Sequence, residues 1–252
     1  MADYKLYCDD CQNVIPTLDM VDHVITDVPY SDVTHKGART NLGHHGKNRA
    51  MLVGKLLKFD SISFDDLRQT FDLLSPKTKR WIVSFMDWHH IALLEANTPK
   101  SLHFVRFGAW IKPNSAPQFT GDRPSTGWEG IAMLHRTGIK LAWNGKGRSS
   151  VFTYPIVHQA HAHSDNPTEK PLALMEELIT LFTNPGDTIL DPFMGSGTTV
   201  EAAIRTGRRA IGIEIDRECF DMAERRIQYA AMQPSMKFAS PLSNTVQSVM
   251  FG

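Results

Sequence analysis

The sequence has little that would point to a membrane, a disulfide framework or a strongly charged surface. Its 252 residues include 3 cysteines, and 27 basic side chains balance 27 acidic ones. Three cysteines predict reduced thiols, and Cys8-x-x-Cys11 has no second pair with which to complete a zinc site. No apolar run reaches membrane-spanning length, and the N-terminal residues lack the apolar core of a signal peptide. We therefore expect a globular, cytoplasmic protein.

Convincing metal-ligand spacing is also missing. The chain has 11 histidines, but no His-x-x-x-His pair or His/Cys cluster stands out. His158, His161 and His163 fall between Pro155 and Asn166, in a predicted loop. We interpret them as polar loop residues or DNA contacts, and we expect no metal.

The balanced total charge conceals two basic segments. Residues 31–58 carry six basic side chains against Asp32 alone, and residues 136–148 carry four with no carboxylate between them. Such segments are typical of solvated loops, but they can also form the electrostatic footprint of a phosphate backbone. The candidate DNA contacts are Lys36, Arg39, Lys47, Arg49, Lys146 and Arg148.

Short apolar runs alternate with helical patterns along most of the chain. The predicted strands include 21–26, 81–86, 102–111 and 129–134, and helical spacing follows at 64–74, 88–96, 172–182 and 218–230. This alternation predicts an α/β fold with a doubly wound, mainly parallel sheet. We expect a single domain over 1–231, with inserted basic loops near 31–58 and 136–163. A partly disordered tail is expected over 232–252.

The stretch Asp191-Pro-Phe-Met-Gly-Ser-Gly-Thr-Thr199 predicts a strand that turns through two glycines into a helix. Such a turn suits a nucleotide-like ligand, because glycines permit close backbone approach and the helix start offers free N–H groups. It lacks the lysine of a phosphate-binding P-loop and the third glycine of a dinucleotide fingerprint. A cofactor without phosphates, S-adenosylmethionine, fits better. Glu214, about 20 residues after the turn, can accept hydrogen bonds from ribose hydroxyls; a purely structural turn is the alternative.

A second motif, Asp27-Val28-Pro29-Tyr30, ends the predicted strand 21–26 just before the first basic segment. An exocyclic amine on a nucleobase is a poor nucleophile, because its lone pair is delocalised into the ring. Hydrogen bonds from its two protons to Asp27 and to a backbone carbonyl would direct that lone pair toward a methyl donor. The ring of Tyr30 can stack on an extruded base.

These motifs together resemble the β-type amino-group DNA methyltransferases, which modify adenine N6 or cytosine N4. Asp27 to Tyr30 resembles the family's Asp-Pro-Pro-Tyr motif, and Asp191 to Thr199 its cofactor motif. Asn166-Pro-Thr-Glu-Lys-Pro171 is similar to the segment before the cofactor motif, and the catalytic motif comes first, as in the permuted arrangement. The resemblance covers roughly residues 4–226 and is more specific than any single motif.

The resemblance implies a role for each matching residue. The target base would be held by the catalytic motif Asp27, Val28, Pro29 and Tyr30. The cofactor would be bound by Asp10, Thr168, Lys170, Asp191, Pro192, Phe193, Gly195, Ser196, Gly197, Thr198 and Glu214. Within this set, Asp10 matches the acid that contacts the cofactor's adenine, and Thr168 with Lys170 borders its methionine end.

The chain departs from the family pattern at Val28, where a proline is usual. Pro29 still pushes residue 28 toward an extended conformation, so we expect activity to survive. The resemblance favours adenine N6 as the acceptor, since an acid rather than serine stands at position 27. Cytosine N4, a catalytically impaired DNA-binding subunit, and an RNA or protein amine methyltransferase are the alternatives. Double-stranded DNA, a homodimer and a bacterial or phage source are further expectations from the family.

Overall fold

The computed structural model describes residues 3–31, 61–118, 121–157 and 169–233. Eight strands form one mixed sheet in the order β1-β8-β7-β2-β3-β5-β4-β6. Their bounds are β1 Tyr4–Cys8, β2 His23–Asp27, β3 Trp81–Met86, β4 Leu102–Ile111, β5 Trp128–Arg136, β6 Val151–Thr153, β7 Thr188–Asp191 and β8 Arg209–Glu214. Within this sheet β5 alone runs antiparallel to its neighbours. The other strands therefore end at one common edge, where β5 begins.

Helices connect these strands along the chain. They are α1 Cys11–Val14, α2 Phe64–Lys77, α3 Trp88–Ala96, α4 Leu172–Phe182, α5 Thr198–Arg205 and α6 Arg217–Met232, with a 3-10 turn at Ile15–Thr17. Side-chain capping begins several of them: Ser63, Asp87 and Asp216 each accept a backbone N–H of the first turn. Each cap satisfies a backbone donor that the helix leaves unpaired.

The sheet is covered on both faces. On one face, α4, α5 and α6 bury apolar residues such as Leu178, Val200 and Ile227 against the strands. On the other, α1, α2 and α3 pack residues such as Phe71 and Leu94 against the same sheet. Burial on both faces explains why the central strands are almost entirely apolar, as in β3, whose six residues are all buried.

The expected α/β fold with a mainly parallel sheet is confirmed. Two details differ from expectation: β6 was missed, because three residues inside a basic segment give too short a pattern, and α2 continues past Pro76 to Lys77. Residues 32–60 and 234–252, which include most of the first basic loop and of the predicted tail, lie outside the described residues. Among the helices described, none is long and apolar enough to cross a membrane.

Candidate active site

The two sequence motifs meet at the centre of the sheet. The chain leaves β7 toward β8 and leaves β2 toward β3, so the strand order diverges between β7 and β2. Ligands of doubly wound sheets bind in the crevice at such a point. Asp27 ends β2 and Asp191 ends β7, and the two strands are joined by a 2.6 Å hydrogen bond from the Thr26 hydroxyl to Asp191 Oδ1.

A solvent-open cleft lies at this point and contains side chains from both motifs. Asp27 and Lys170 face the glycine turn across it. Its lining residues are Asp27, Glu169, Lys170, Asp191, Phe193, Met194, Gly195, Ser196, Thr198 and Thr199. The cleft thus brings side chains of both sequence motifs together in one space.

The glycine turn depends on backbone conformations that suit glycine. Gly197, which caps α5, has φ of 83°, and Gly195 has φ of 50°. A Cβ at Gly197 would lie 3.0 Å from the Ile227 side chain and 3.1 Å from that of Ala223. The turn is further fixed by Glu214, whose Oε2 accepts the Gly195 N–H at 3.0 Å. Its open cradle and this carboxylate fit the adenosyl part of the expected cofactor.

The third glycine missing from the turn has a counterpart on β8. A Cβ at Gly212 would lie 2.4 Å from the Met194 sulfur and 2.9 Å from a Val200 methyl group. In dinucleotide-binding folds the third glycine permits close packing of helix and strand. Here the strand supplies the glycine and α5 supplies the larger residue, so the close packing is kept.

The side chain of Asp191 is a buried carboxyl group. It is 2% exposed, and burial raises its pKa to about 6. Hydrogen bonds from Thr26, from Thr199 and from the Phe193 N–H oppose that rise, and the nearby charge of Asp27 adds to it. Asp191 can therefore exchange a proton close to neutral pH.

On the other side of the cleft, Asp27 belongs to a chain of alternating charges. Its Oδ2 accepts a 2.5 Å hydrogen bond from Lys170 Nζ, which also lies 3.2 Å from Glu129 Oε2. Glu129 in turn pairs with Lys112. Burial raises the pKa of Asp27 while the ammonium of Lys170 opposes that rise, and the two lysines hold the pKa of Glu129 at about 2. Two cations thus balance two carboxylates.

Aromatic rings enclose the ammonium of Lys170. Its Nζ lies 5.2 Å from the ring centre of Phe85, 5.8 Å from that of Tyr30 and 6.0 Å from that of Trp110. The Tyr30 hydroxyl interacts with the carboxylate of Glu129, and burial together with the charges of Glu129 and Asp27 raises the Tyr30 pKa well above its usual range. Tyr30 is therefore a neutral, fixed ring beside Asp27.

Arg226 of α6 contacts both the segment that precedes α4 and the glycine turn. Its side chain is 8% exposed and pairs with Glu201 and, at 2.7 Å, with Glu169. The same guanidinium donates to Thr198 Oγ1 at 3.0 Å, at the end of the glycine turn. The segment that carries Lys170 is thereby anchored to the turn.

The structure brings most of the predicted cofactor residues together. Asp191, Phe193, Gly195, Ser196, Thr198 and Lys170 line the cleft, whereas Pro192 and Gly197 shape the turn without lining it. Glu214 binds the turn directly, and Asp10 caps α1 next to Asp9, whose N–H donates to the Glu214 carbonyl at 3.1 Å. Thr168 lies outside the described residues.

Of the six predicted DNA contacts, the structure describes Lys146 and Arg148. Lys36, Arg39, Lys47 and Arg49 lie outside the described residues. Lys146 and Arg148 follow Trp143, whose ring packs 4.8 Å from that of Phe182 at the end of α4, and the preceding Ala142 accepts the indole N–H of Trp81 at the start of β3. Residues 142 and 143 thus lie against the end of α4 and the start of β3, at the end of the sheet opposite the cleft. Arg148 also pairs with Glu177, and the DNA role of both residues stays a prediction.

Several site residues were given no role from the sequence. Glu169, Met194 and Thr199 line the cleft, and each stands inside or directly beside a motif that was recognised. Glu129, Lys112 and Arg226 come from distant segments. Their signal is weaker, because a single carboxylate or lysine at the end of a strand looks like any solvated charge.

Comparison with known proteins agrees with this geometry. Residues 21–225 match the DNA methylase family of N6 and N4 methyltransferases. The chain belongs to the N6/N4 DNA methylase family. That match covers both motifs and every described part of the cleft.

Two curated relatives of this DNA methylase differ in how much of their length is matched. The DNA adenine methyltransferase YhdJ of Escherichia coli K12 is 43% identical over 119 residues, which are 45% of this chain and 40% of that protein. The type II methyltransferase M.HpaI of Haemophilus parainfluenzae is 27% identical over 250 residues, 89% of this chain and 74% of that protein.

Solved structures show the same fold. The complex of M1.HpyAVI with S-adenosylmethionine is 25% identical, with a TM-score of 0.66, and 88% of this chain and 99% of that chain are covered. The cytosine-N4-specific PvuII methyltransferase has a TM-score of 0.66 at 14% identity, with 92% of each chain covered. The expected family and fold, and S-adenosylmethionine as the family's cofactor, are confirmed. The base that is methylated is not decided by these likenesses.

Proposed function

We propose that this chain transfers a methyl group from S-adenosylmethionine to adenine N6 in double-stranded DNA. The observation that carries the proposal is the single cleft lined by both Asp27 and the glycine turn from Asp191. The match to a DNA adenine methyltransferase at 43% identity over 119 residues supports adenine as the base. An acid at position 27 supports the same choice.

The cofactor would lie along the glycine turn. Glu214 would accept the ribose hydroxyls, the first turn of α5 would face the ligand with unpaired N–H groups, and Asp191 would lie near the cationic methionine end. S-adenosylmethionine supplies a methyl group bound to a positively charged sulfur. Direct displacement then needs alignment of nitrogen, methyl and sulfur more than it needs a strong base.

The residues of this chain would orient the acceptor. Asp27 Oδ1 is buried and, within the described part of the chain, has no hydrogen-bond partner, so it can accept one amino proton of a flipped base. The Val28 carbonyl would accept the other, and Tyr30 would stack on the ring. Asp27 acts as an acceptor during transfer and takes up the proton that the methylated nitrogen then releases.

Sequencing with modification detection, on DNA from a methylation-free bacterial host that expresses the chain, tests the proposal. N6-methyladenine in one short sequence context is expected, and an Asp27→Ala variant should leave the same DNA unmodified. Detection of N4-methylcytosine instead would contradict adenine as the acceptor base and would identify cytosine N4 as the acceptor. Cofactor binding without any DNA modification would contradict it in favour of a catalytically impaired subunit, and preferential methylation of RNA or peptide would contradict DNA as the substrate.

A further inference from the structure

Glu129 is a carboxylate in the group of charges around Asp27. It lies at the start of β5, and its side chain is 15% exposed. Its carboxylate pairs with Lys112 after β4, lies 3.2 Å from Lys170 before α4, and interacts with the hydroxyl of Tyr30 after β2. One side chain therefore links three segments that are far apart in the sequence.

The two carboxylate oxygens of Asp27 differ in their contacts. Oδ2 is held by Lys170 at 2.5 Å, while Oδ1 is buried and has no partner among the residues described. A carboxylate with one oxygen fixed offers a single acceptor of defined direction. The direction of Oδ1 thus depends on where Lys170 is held, and Lys170 is held by Glu129.

We propose that Glu129 is a positioning residue for methyl transfer, because it holds Lys170 against the Asp27 carboxylate and its own carboxylate interacts with the Tyr30 hydroxyl. The inference rests on the proposed function, in which Tyr30 and Asp27 hold the target base. In this role, Glu129 at the start of β5 sets the distance and angle between the Tyr30 ring and Asp27 Oδ1. Misplacement of such groups by an ångström costs up to about a hundredfold in rate.

The charges around Asp27 give this role a distinctive pH signature. Asp27 faces the cations Lys170 and Lys112 and the acids Glu129 and Asp191. Loss of the Lys170 charge would raise the pKa of Asp27 further, whereas loss of the Glu129 charge would lower it. A pair of charges that does not act on Asp27 would leave its protonation unchanged.

The test compares Lys170→Met and Glu129→Gln with Lys79→Met as a matched control. Lys79 forms a 2.9 Å ion pair with Asp22 at the other edge of the sheet and is 48% exposed. The kcat is measured against pH at saturating cofactor, so that titration of Asp191 in the free cleft does not enter. We expect the acidic limb to move up by about one pH unit or more in Lys170→Met and to move down in Glu129→Gln. The control should keep the wild-type profile.

A double-mutant cycle tests the contact with Tyr30. Glu129→Gln should lower kcat by about 10- to 100-fold while the KM for DNA changes less than about threefold. If Glu129 acts through the hydroxyl, Tyr30→Phe in the Glu129→Gln background should cost less than it does in wild type. Additive losses would overturn the coupling of the ring to Glu129.

A readout without turnover separates this inference from the proposed function. The Asp27 carboxyl can be titrated by NMR in the free protein labelled with 13C-aspartate, with circular dichroism as the check of folding. Lys170→Arg and Glu129→Asp keep the charges, and they should keep the wild-type titration even where Lys170→Met or Glu129→Gln unfolds. Shifts of Asp27 in the same direction for both charge-removing variants, or shifts in the charge-keeping ones, overturn the inference. Failure of wild type to methylate any DNA would instead overturn the proposed function.

Discussion

The two sides of the cleft are built from different kinds of interaction. The cofactor side, residues 191–216, is fixed by backbone conformation, by the close packing at Gly212 and by backbone N–H groups on Glu214. The acceptor side, which comprises Asp27, Tyr30, Lys112, Glu129 and Lys170, is fixed by paired charges from four segments. Steric packing does not depend on pH, whereas the charge pairs of the acceptor side and the buried carboxyl group of Asp191 do. Substitutions should therefore affect the two sides in distinguishable ways.

The largest effect is expected where the two sides are joined. Arg226→Met removes a buried cation that pairs with Glu169 and Glu201, and it leaves both carboxylates without that partner. Loss of one member of a buried pair costs about 3 kcal/mol or more. We expect a corresponding fall in the free energy of unfolding by denaturant titration, together with weaker cofactor binding by calorimetry.

Arg217→Met on the same helix is the control for Arg226→Met. Arg217 is 72% exposed and pairs with Asp221 at 3.0 Å, so its removal should cost less than about 1 kcal/mol. Equal losses for the two variants would mean that Arg226 does not join the two sides.

A smaller effect, dependent on pH, is expected at Asp191. Its pKa in the folded protein, about 6, lies above the ordinary value of 3.8, so the folded state binds this proton more tightly than the unfolded state does. Between these values the free energy of unfolding falls as pH rises, by up to about 3 kcal/mol in all. Asp191→Asn should therefore be more stable than wild type above about pH 6, with no gain below about pH 4.

Cofactor binding should change in the opposite sense at Asp191. In the proposed binding mode Asp191→Asn lacks the charge that would face the cationic end of the cofactor, so we expect weaker binding at neutral pH. In wild type, affinity should fall as pH drops through about 6, because protonation removes the same charge. Thermal unfolding against pH and titration calorimetry measure the two effects. A stability gain that is the same at every pH would contradict the argument.

The smallest effect is expected within the catalytic motif. Pro29→Ala releases the restraint on residue 28 and should lower kcat more than Val28→Pro does, through a loss of about 0.4–1 kcal/mol of preorganisation. Val28→Pro should lower stability more, because Val28 is 1% exposed and its N–H donates to the Phe85 carbonyl at 3.3 Å. Rates normalised to folded enzyme, with melting temperatures, separate the two. A reversed order of rates would show that the φ angle of residue 28 matters more than its ψ angle.

The cofactor side could be predicted because its residues lie close together in the sequence. Asp191, Gly195 and Gly197 lie in one turn, and Glu214 follows on the next strand. The strand ends and the alternating apolar pattern likewise predicted the doubly wound sheet.

The acceptor side was only partly predictable because its partners are distant. Asp27 and Tyr30 belong to a local motif, but Lys170 lies 143 residues from Asp27 along the chain. Glu129 stands near the start of an antiparallel strand, whereas parallel strands place their functional residues near their ends. Its role depends on a strand direction that hydrophobic alternation does not encode.

The pairing of Lys112 with Glu129 has a consequence for the connection between β4 and β5. That connection leaves the sheet at Lys112 and returns at Gly127, whose carbonyl accepts the Lys112 N–H at 2.8 Å. Its two ends are thus tied together beside the cleft, by a backbone hydrogen bond and by the ion pair with Glu129. We therefore expect residues 121–126 to tolerate changes in sequence without moving the acceptor side, which makes this part of the connection a natural position for grafting new contacts next to the cleft.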